Sequence, residues 1–273
     1  MATSAEAICN SALIKIGAST ISSLTEDSVE AEACKEQYAK LRDELLRSHP
    51  WNFANKRAFL GKDEFTFLDA DISVANNTIT KPGHGKAEGD RFQLTSTGVL
   101  PAGLELVTDY FVSQVQGNTF KLSTTAAKAI SAVEDVVDVT AAAGGGTHTY
   151  TSKPKFEWDF LYDLPSDYLR SVRLQPKSQK FIVEGEKLYS NDNEVFLIYI
   201  AKITDTTKFE SSFDELLSLM ISNELTYTLV HSSTLKATMQ AELKLKLKDV
   251  RSFDAQEGTP EEFEANQFID SRI

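Results

Sequence analysis

Basic charge in excess is the first thing the sequence lacks. Its 273 residues carry 40 Asp and Glu against 28 Lys and Arg, a formal net charge of -12. A chain that grips nucleic-acid phosphates normally presents a basic face, so stable DNA binding is not expected. An acidic surface is still compatible with a channel through which DNA slides without sticking. Only two cysteines, Cys9 and Cys34, are present. That excludes a disulfide framework, and both fall at apolar positions of predicted helices, as buried thiols of a chain made in a reducing cytosol do. No apolar run approaches the roughly 20 residues a membrane helix needs. The opening MATSAEAICN has no basic stretch followed by an apolar core, so a secretory signal is not expected.

Catalytic signatures are missing too. No Gly-x-Gly-x-x-Gly opens a helix after a strand. The run Gly144-Gly145-Gly146 is followed by Thr147-His148-Thr149 rather than by the lysine and helix of a phosphate loop. There is no nucleophile elbow and no zinc helix. The four histidines, His49, His84, His148 and His231, each stand alone near a turn or helix end, and His148 reads as a loop residue. No cofactor, metal or catalytic residue is assigned. The acids are numerous enough to leave paired-carboxylate glycoside hydrolysis open, for which two carboxyls roughly 5–10 Å apart in a cleft would be diagnostic. Asp159, Asp163 and Asp167 recur every four residues, but on a segment whose aromatic alternation predicts a strand, so they read as solvent-facing.

What is present is helical periodicity at both ends. The spacing of Ile8, Ala12 and Ile16 predicts a helix over Ala5 to Ile16, stopped by Gly17. A second runs from Ser28 to Ser48 on the stripe Cys34, Tyr38, Leu41 and Leu45, with Asp27 or Ser28 as cap and Pro50 beyond its end. Two more follow over Ser211 to Val230 and Thr234 to Phe253, joined by His231-Ser232-Ser233. The last carries Lys236, Lys244, Lys246, Lys248 and Arg251. These are read as a solvated face paired with Glu242 and Asp249, in preference to a stripe facing DNA or an acidic partner. Between the helical ends, short alternating runs separated by Asn76-Asn77, Pro82-Gly83 and Gly117-Asn118 predict an all-β module. After it come an alternating strand through Trp158, Phe160, Tyr162 and Leu164, a hairpin around Glu184-Gly185-Glu186, and an apolar central strand over Val195 to Ile200. The expected fold class is therefore α+β: a helical bundle body with a small antiparallel sheet (1–66 and 153–253), an inserted all-β domain (67–152) and an extended C-terminal arm (254–273).

One stretch is more specific. Ala7-Ile8-Cys9-Asn10-Ser11-Ala12-Leu13-Ile14-Lys15-Ile16-Gly17, then Leu41-Arg42-Asp43-Glu44-Leu45-Leu46-Arg47, then His49-Pro50-Trp51-Asn52-Phe53-Ala54, resembles the tail tubular protein A family, the head-to-tail adaptors of podophages. Tyr162-Asp163-Leu164-Pro165-Ser166-Asp167, Val183-Glu184-Gly185 and Leu197-Ile198-Tyr199-Ile200 agree with it. The resemblance covers roughly 4–66 and 155–273. It implies a structural virion protein and not an enzyme. It further implies a homo-oligomeric ring, expected to be a dodecamer, between the portal protein and the tail nozzle, with DNA passing through and no membrane anchor. Phe263, Phe268, Ile269 and Arg272 in the acidic arm are the portal-contact candidates. The β module departs from the pattern of many adaptors. It either buttresses the nozzle or a tail fibre, or binds host glycans. A tail-associated polysaccharide or cell-wall hydrolase housed in that module is the alternative from another class.

Overall fold

The computed structural model describes residues 4–131, 135–141 and 145–257. They form two compact units, one built from 4–56, 167–172 and 199–257, the other from 57–166 and 173–198.

The first unit begins with α1 (Ala5–Ile16), whose start is capped by Ser4 Oγ accepting the Ala7 N–H at 3.1 Å. Gly17 ends it in a left-handed conformation, φ 75°, which lets its N–H and that of Ala18 reach back to Ile14 and Leu13. Of the two candidate caps for α2 (Val29–Ser48), Ser28 takes the role, accepting the Ala31 N–H. A short 3-10 turn (Asn52–Ala54) then leads into β1 (Asn55–Leu60). Later in the chain α4 (Ser211–Leu225) packs against both N-terminal helices. Phe213, Leu216, Leu217, Ile221 and Leu225 are buried along it. A wide π turn (Thr226–Val230) and left-handed His231 reverse the chain into α5 (Ser233–Gln256), which packs on α4.

The second unit is built of strands. After β1 come β2 (Glu64–Leu68), β3 (Ile72–Ser73), β4 (Thr78–Thr80), β5 (Arg91–Ser96), β6 (Asp109–Gln116) and β7 (Thr119–Ser123). A single helical turn, α3 (Ala126–Ala129), precedes β8 (Thr147–Lys153). These form one seven-stranded sheet, in the order β2-β8-β5-β6-β7-β4-β3. Phe67, Phe92, Leu94, Val112, Phe120 and Tyr150 make its core, with Tyr150 stacked between Phe65 (4.5 Å) and Phe92 (4.0 Å). Gly98 and Gly146 let β5 and β8 close together at one end. A Cβ on Gly98 would lie 1.7 Å from the Gly145 carbonyl oxygen.

Then follow β9 (Phe160–Asp163), β10 (Tyr168–Gln175), β11 (Phe181–Glu184), β12 (Lys187–Ser190) and β13 (Val195–Ala201). The hairpin turns at Gly185 as expected, and β11-β12-β9 form a second sheet. A third has the order β1-β13-β10, with the apolar β13 central.

This overturns the helical-bundle body. Among the described residues there are thirteen strands in three sheets and four helices of seven residues or more, so the fold is sheet-rich. β1 and β9 to β13 all lie in the stretches assigned to a helical body. The physical reason is unequal signal. Helices of 20 and 24 residues repeat their stripe over many turns. A strand such as β10, half-buried over its first four residues, displays no alternation to count.

Candidate functional site

Two places concentrate polar chemistry, one in each unit. In the first unit the residues of the His49 to Ala54 segment form a socket. The Trp51 indole, fully buried, donates to the Leu45 carbonyl at 2.8 Å and meets Phe213 edge-on at 5.4 Å. Phe53 packs on Phe209 and Phe213. Into this socket comes the end of α5. Asp254, 5% exposed, accepts the Asn52 N–H at 2.9 Å and lies 2.8 Å from His49 Nε2. Asn52 Nδ2 reaches the Asp254 carbonyl, and Arg251 reaches the carbonyl of Ser48. Glu210 nearby is held above its ordinary value, by burial first and then by Glu257 and Asp254. Nothing in this cluster is a nucleophile with a free path. Its work is to fix the helix end from which residues 258–273 depart. The portal-contact candidates Phe263, Phe268, Ile269 and Arg272 lie outside the described residues.

In the second unit a cleft of 580 Å³ opens between the seven-stranded sheet and the β11-β12-β9 sheet. Its floor is a charge network. Lys86, its side chain 9% exposed, donates to both oxygens of Asp63 and to Ser152 Oγ, each at 2.8 Å. Lys187 bridges Asp63 at 3.2 Å and Asp163 at 2.5 Å. Burial pushes the Asp63 carboxyl up, but the two lysines outweigh it, and the group ends below the usual carboxylate range. That is the wrong direction for the proton donor of a glycosidase. The rim is formed by Arg91, Lys153, Lys155, Phe156, Glu157 and Trp158. Trp158 belongs to the stretch where alternation predicted a strand. Instead the chain is irregular until Phe160, and Phe156 stands 73% exposed.

The other singled-out residues are placed as follows. Cys9 and Cys34 are buried free thiols, and the hydrogen bond between them, with burial second, raises the Cys9 thiol. Asp163 pairs with Lys187, and Asp167 accepts from Lys56 and Tyr199. Their sequence repeat makes no common face. On α5, Arg251 holds Ser48, while Lys236, Lys244, Lys246 and Lys248 have no carboxylate within 4.0 Å among the described residues, so the expected pairing with Glu242 and Asp249 is not formed.

His148 is a strand residue of β8, fully buried, and not part of a loop. Its Nδ1 lies 2.9 Å from Ser96 Oγ and its Nε2 2.5 Å from Asp69 Oδ1. The residue types are those of a hydrolytic triad. However, Ser96 Oγ already accepts the Gly98 N–H and the imidazole is sealed, while Asp69 Oδ2 accepts the Gly145 N–H. The trio ties down the closing loop of the sheet. No alternation or spacing could have brought Asp69 and His148 together, 79 positions apart.

No group of three or more His, Cys, Asp or Glu able to hold a metal occurs among the described residues. No described helix is long and apolar enough to cross a membrane. Family models and curated proteins give no significant match to the chain.

Proposed function

We propose that this chain is a structural virion protein, the head-to-tail adaptor of a short-tailed phage. On this reading copies close into a ring, a dodecamer by the resemblance. The ring joins the portal protein to the tail nozzle around the channel through which DNA leaves. The residues that carry the resemblance, His49 to Ala54, support the reading by their use. They build a rigid socket and keep no side chain free for chemistry.

The single observation that carries self-association is α5. Of its 24 residues only Met239, Val250 and Asp254 are buried, while Leu245 and Phe253 are 68% and 64% exposed. Large apolar side chains left bare on a long helix are what subunit contacts cover. Ring closure needs two different patches on each copy, and α5 supplies one of them. A net charge of -12 suits a channel wall that repels phosphates.

Mass photometry of the purified protein, alone and with the portal protein, tests this. Rings or portal-bound multimers are expected, and Leu245→Ser with Phe253→Ser shifts them to monomers. A chain that stays monomeric and never joins the portal at micromolar concentration overturns it. The arm is tested by truncation after Glu257, since Asp254 is part of the socket. The truncated chain is expected to keep its melting temperature and lose portal docking.

A further inference from the structure

We infer that the cleft of the second unit is a binding site for an acidic saccharide, its acid group on Lys153 and its ring against Trp158 and Phe156. This is independent of the ring reading.

Lys153 is the starting point. Its ammonium sits 4.0 Å from the centroid of Phe160, and Lys62 approaches the same ring at 4.6 Å. Among the described residues no carboxylate comes within 4.0 Å of Lys153. Lys62 instead is held by Asn193 Oδ1, and Arg91 by Asp109 and the Pro154 carbonyl. Burial lowers the Lys153 pKa; Asp159 pulls against it, Lys62 and Arg91 add to it, and Asp109 opposes them. A half-buried cation with no carboxylate in contact gains from an arriving acid group. Lys155, 64% exposed and only 3.9 Å from Asp90, stands beside it as a second donor.

The size and mixed sign of the cleft choose the ligand. At 580 Å³ it falls within the roughly 300–1,000 Å³ of small-ligand sites, room for a few sugar rings and not for a duplex. Glu157 and Glu184 line it together with the lysines. An acidic peptide or a DNA strand would meet those carboxylates as repulsion, added to the field of a chain at -12. A sugar acid uses both signs: hydroxyls donate to Glu157 and Glu184 while its carboxylate accepts from Lys153. Exposed Phe156 and half-buried Trp158 supply the apolar faces that the C–H face of a sugar ring covers. The saturated floor of Lys86, Asp63 and Lys187 stays fixed beneath.

The test uses the full chain and four probes: a neutral-sugar trimer carrying a single uronic acid, its methyl ester, inorganic phosphate and a short single-stranded oligonucleotide. Trp51 is fully buried, so a change in tryptophan emission on titration reports Trp158. The trimer is expected to bind and shift that emission. The neutral ester should bind about tenfold more weakly, the scale of one charge-assisted contact. Lys153→Met keeps the alkyl stem and should lose about the same factor without lowering the melting temperature. No binding of the trimer overturns the proposal. So does equal binding of the ester or by Lys153→Met, and so does phosphate or oligonucleotide binding as tightly as the trimer. Should Lys153→Met fail to fold, the trimer-against-ester comparison on the unaltered protein still decides.

Discussion

Asp254 holds the end of α5 with a side chain that accepts from the Asn52 N–H and meets His49, and with a carbonyl that receives Asn52. Removing its carboxylate leaves a buried N–H without a partner, so Asp254→Ala is expected to lower stability by about 2–3 kcal/mol in urea unfolding. Asp63 makes a different case. Its pKa in the folded state lies below the ordinary 3.8, so it contributes stability that is present above that value and lost as pH falls through the folded one. Asp63→Asn should therefore be less stable than the unaltered protein at neutral pH. The gap should narrow below pH 3.8, as thermal melts across that range would show. Neither partnership was legible in the sequence. Asn52 and Asp254 are 202 positions apart, and Lys86 lies just past the Pro82-Gly83 turn signal, 23 positions from Asp63, where no pattern points back to it.

At the scale of elements, legibility follows how often a pattern repeats. α1 came out with its ends, and α2 with its cap reduced to two neighbours, because caps and stop residues are local chemistry. The hairpin at Gly185 and the central β13 were legible for the same reason. The strand expected through Trp158 was not. Trp158 and Phe160 are only half-buried, because the first of them belongs to the rim of a cleft and not to a sheet face. The cleft itself left one trace, the run Lys153-Pro154-Lys155-Phe156, where bases and an aromatic surround a strand breaker. The closing of β5 on β8 gives a prediction at this scale. Gly98→Ala puts a methyl group 1.7 Å from the Gly145 oxygen, so the loop must move and the bond from Gly145 N–H to Asp69 is lost with it. A loss of about 2 kcal/mol or more is expected by denaturant titration, with protection from hydrogen exchange falling first at Thr147 and His148.

At the scale of the whole molecule, each unit shows its own relation between pattern and use. The first spends its most recognisable residues, His49 to Ala54, on internal packing and leaves Leu245 and Phe253 of α5 exposed. The second is where the sequence pattern said least about use, and it holds the cleft. The antiparallel pairing of β2 with β8 has a further consequence in time. Glu64 and Thr151, opposite each other in that ladder, are 87 residues apart. Closing a loop of that length costs about 4 kcal/mol of chain entropy before any contact returns it. During synthesis at roughly 5–20 residues per second, β2 leaves the ribosome and waits on the order of 4–17 seconds for its partner. Phe65 and Phe67 stay unpaired for that interval, directly after the charged run Lys62-Asp63-Glu64, the kind of flanking charge that disfavours pairing with a neighbouring nascent chain.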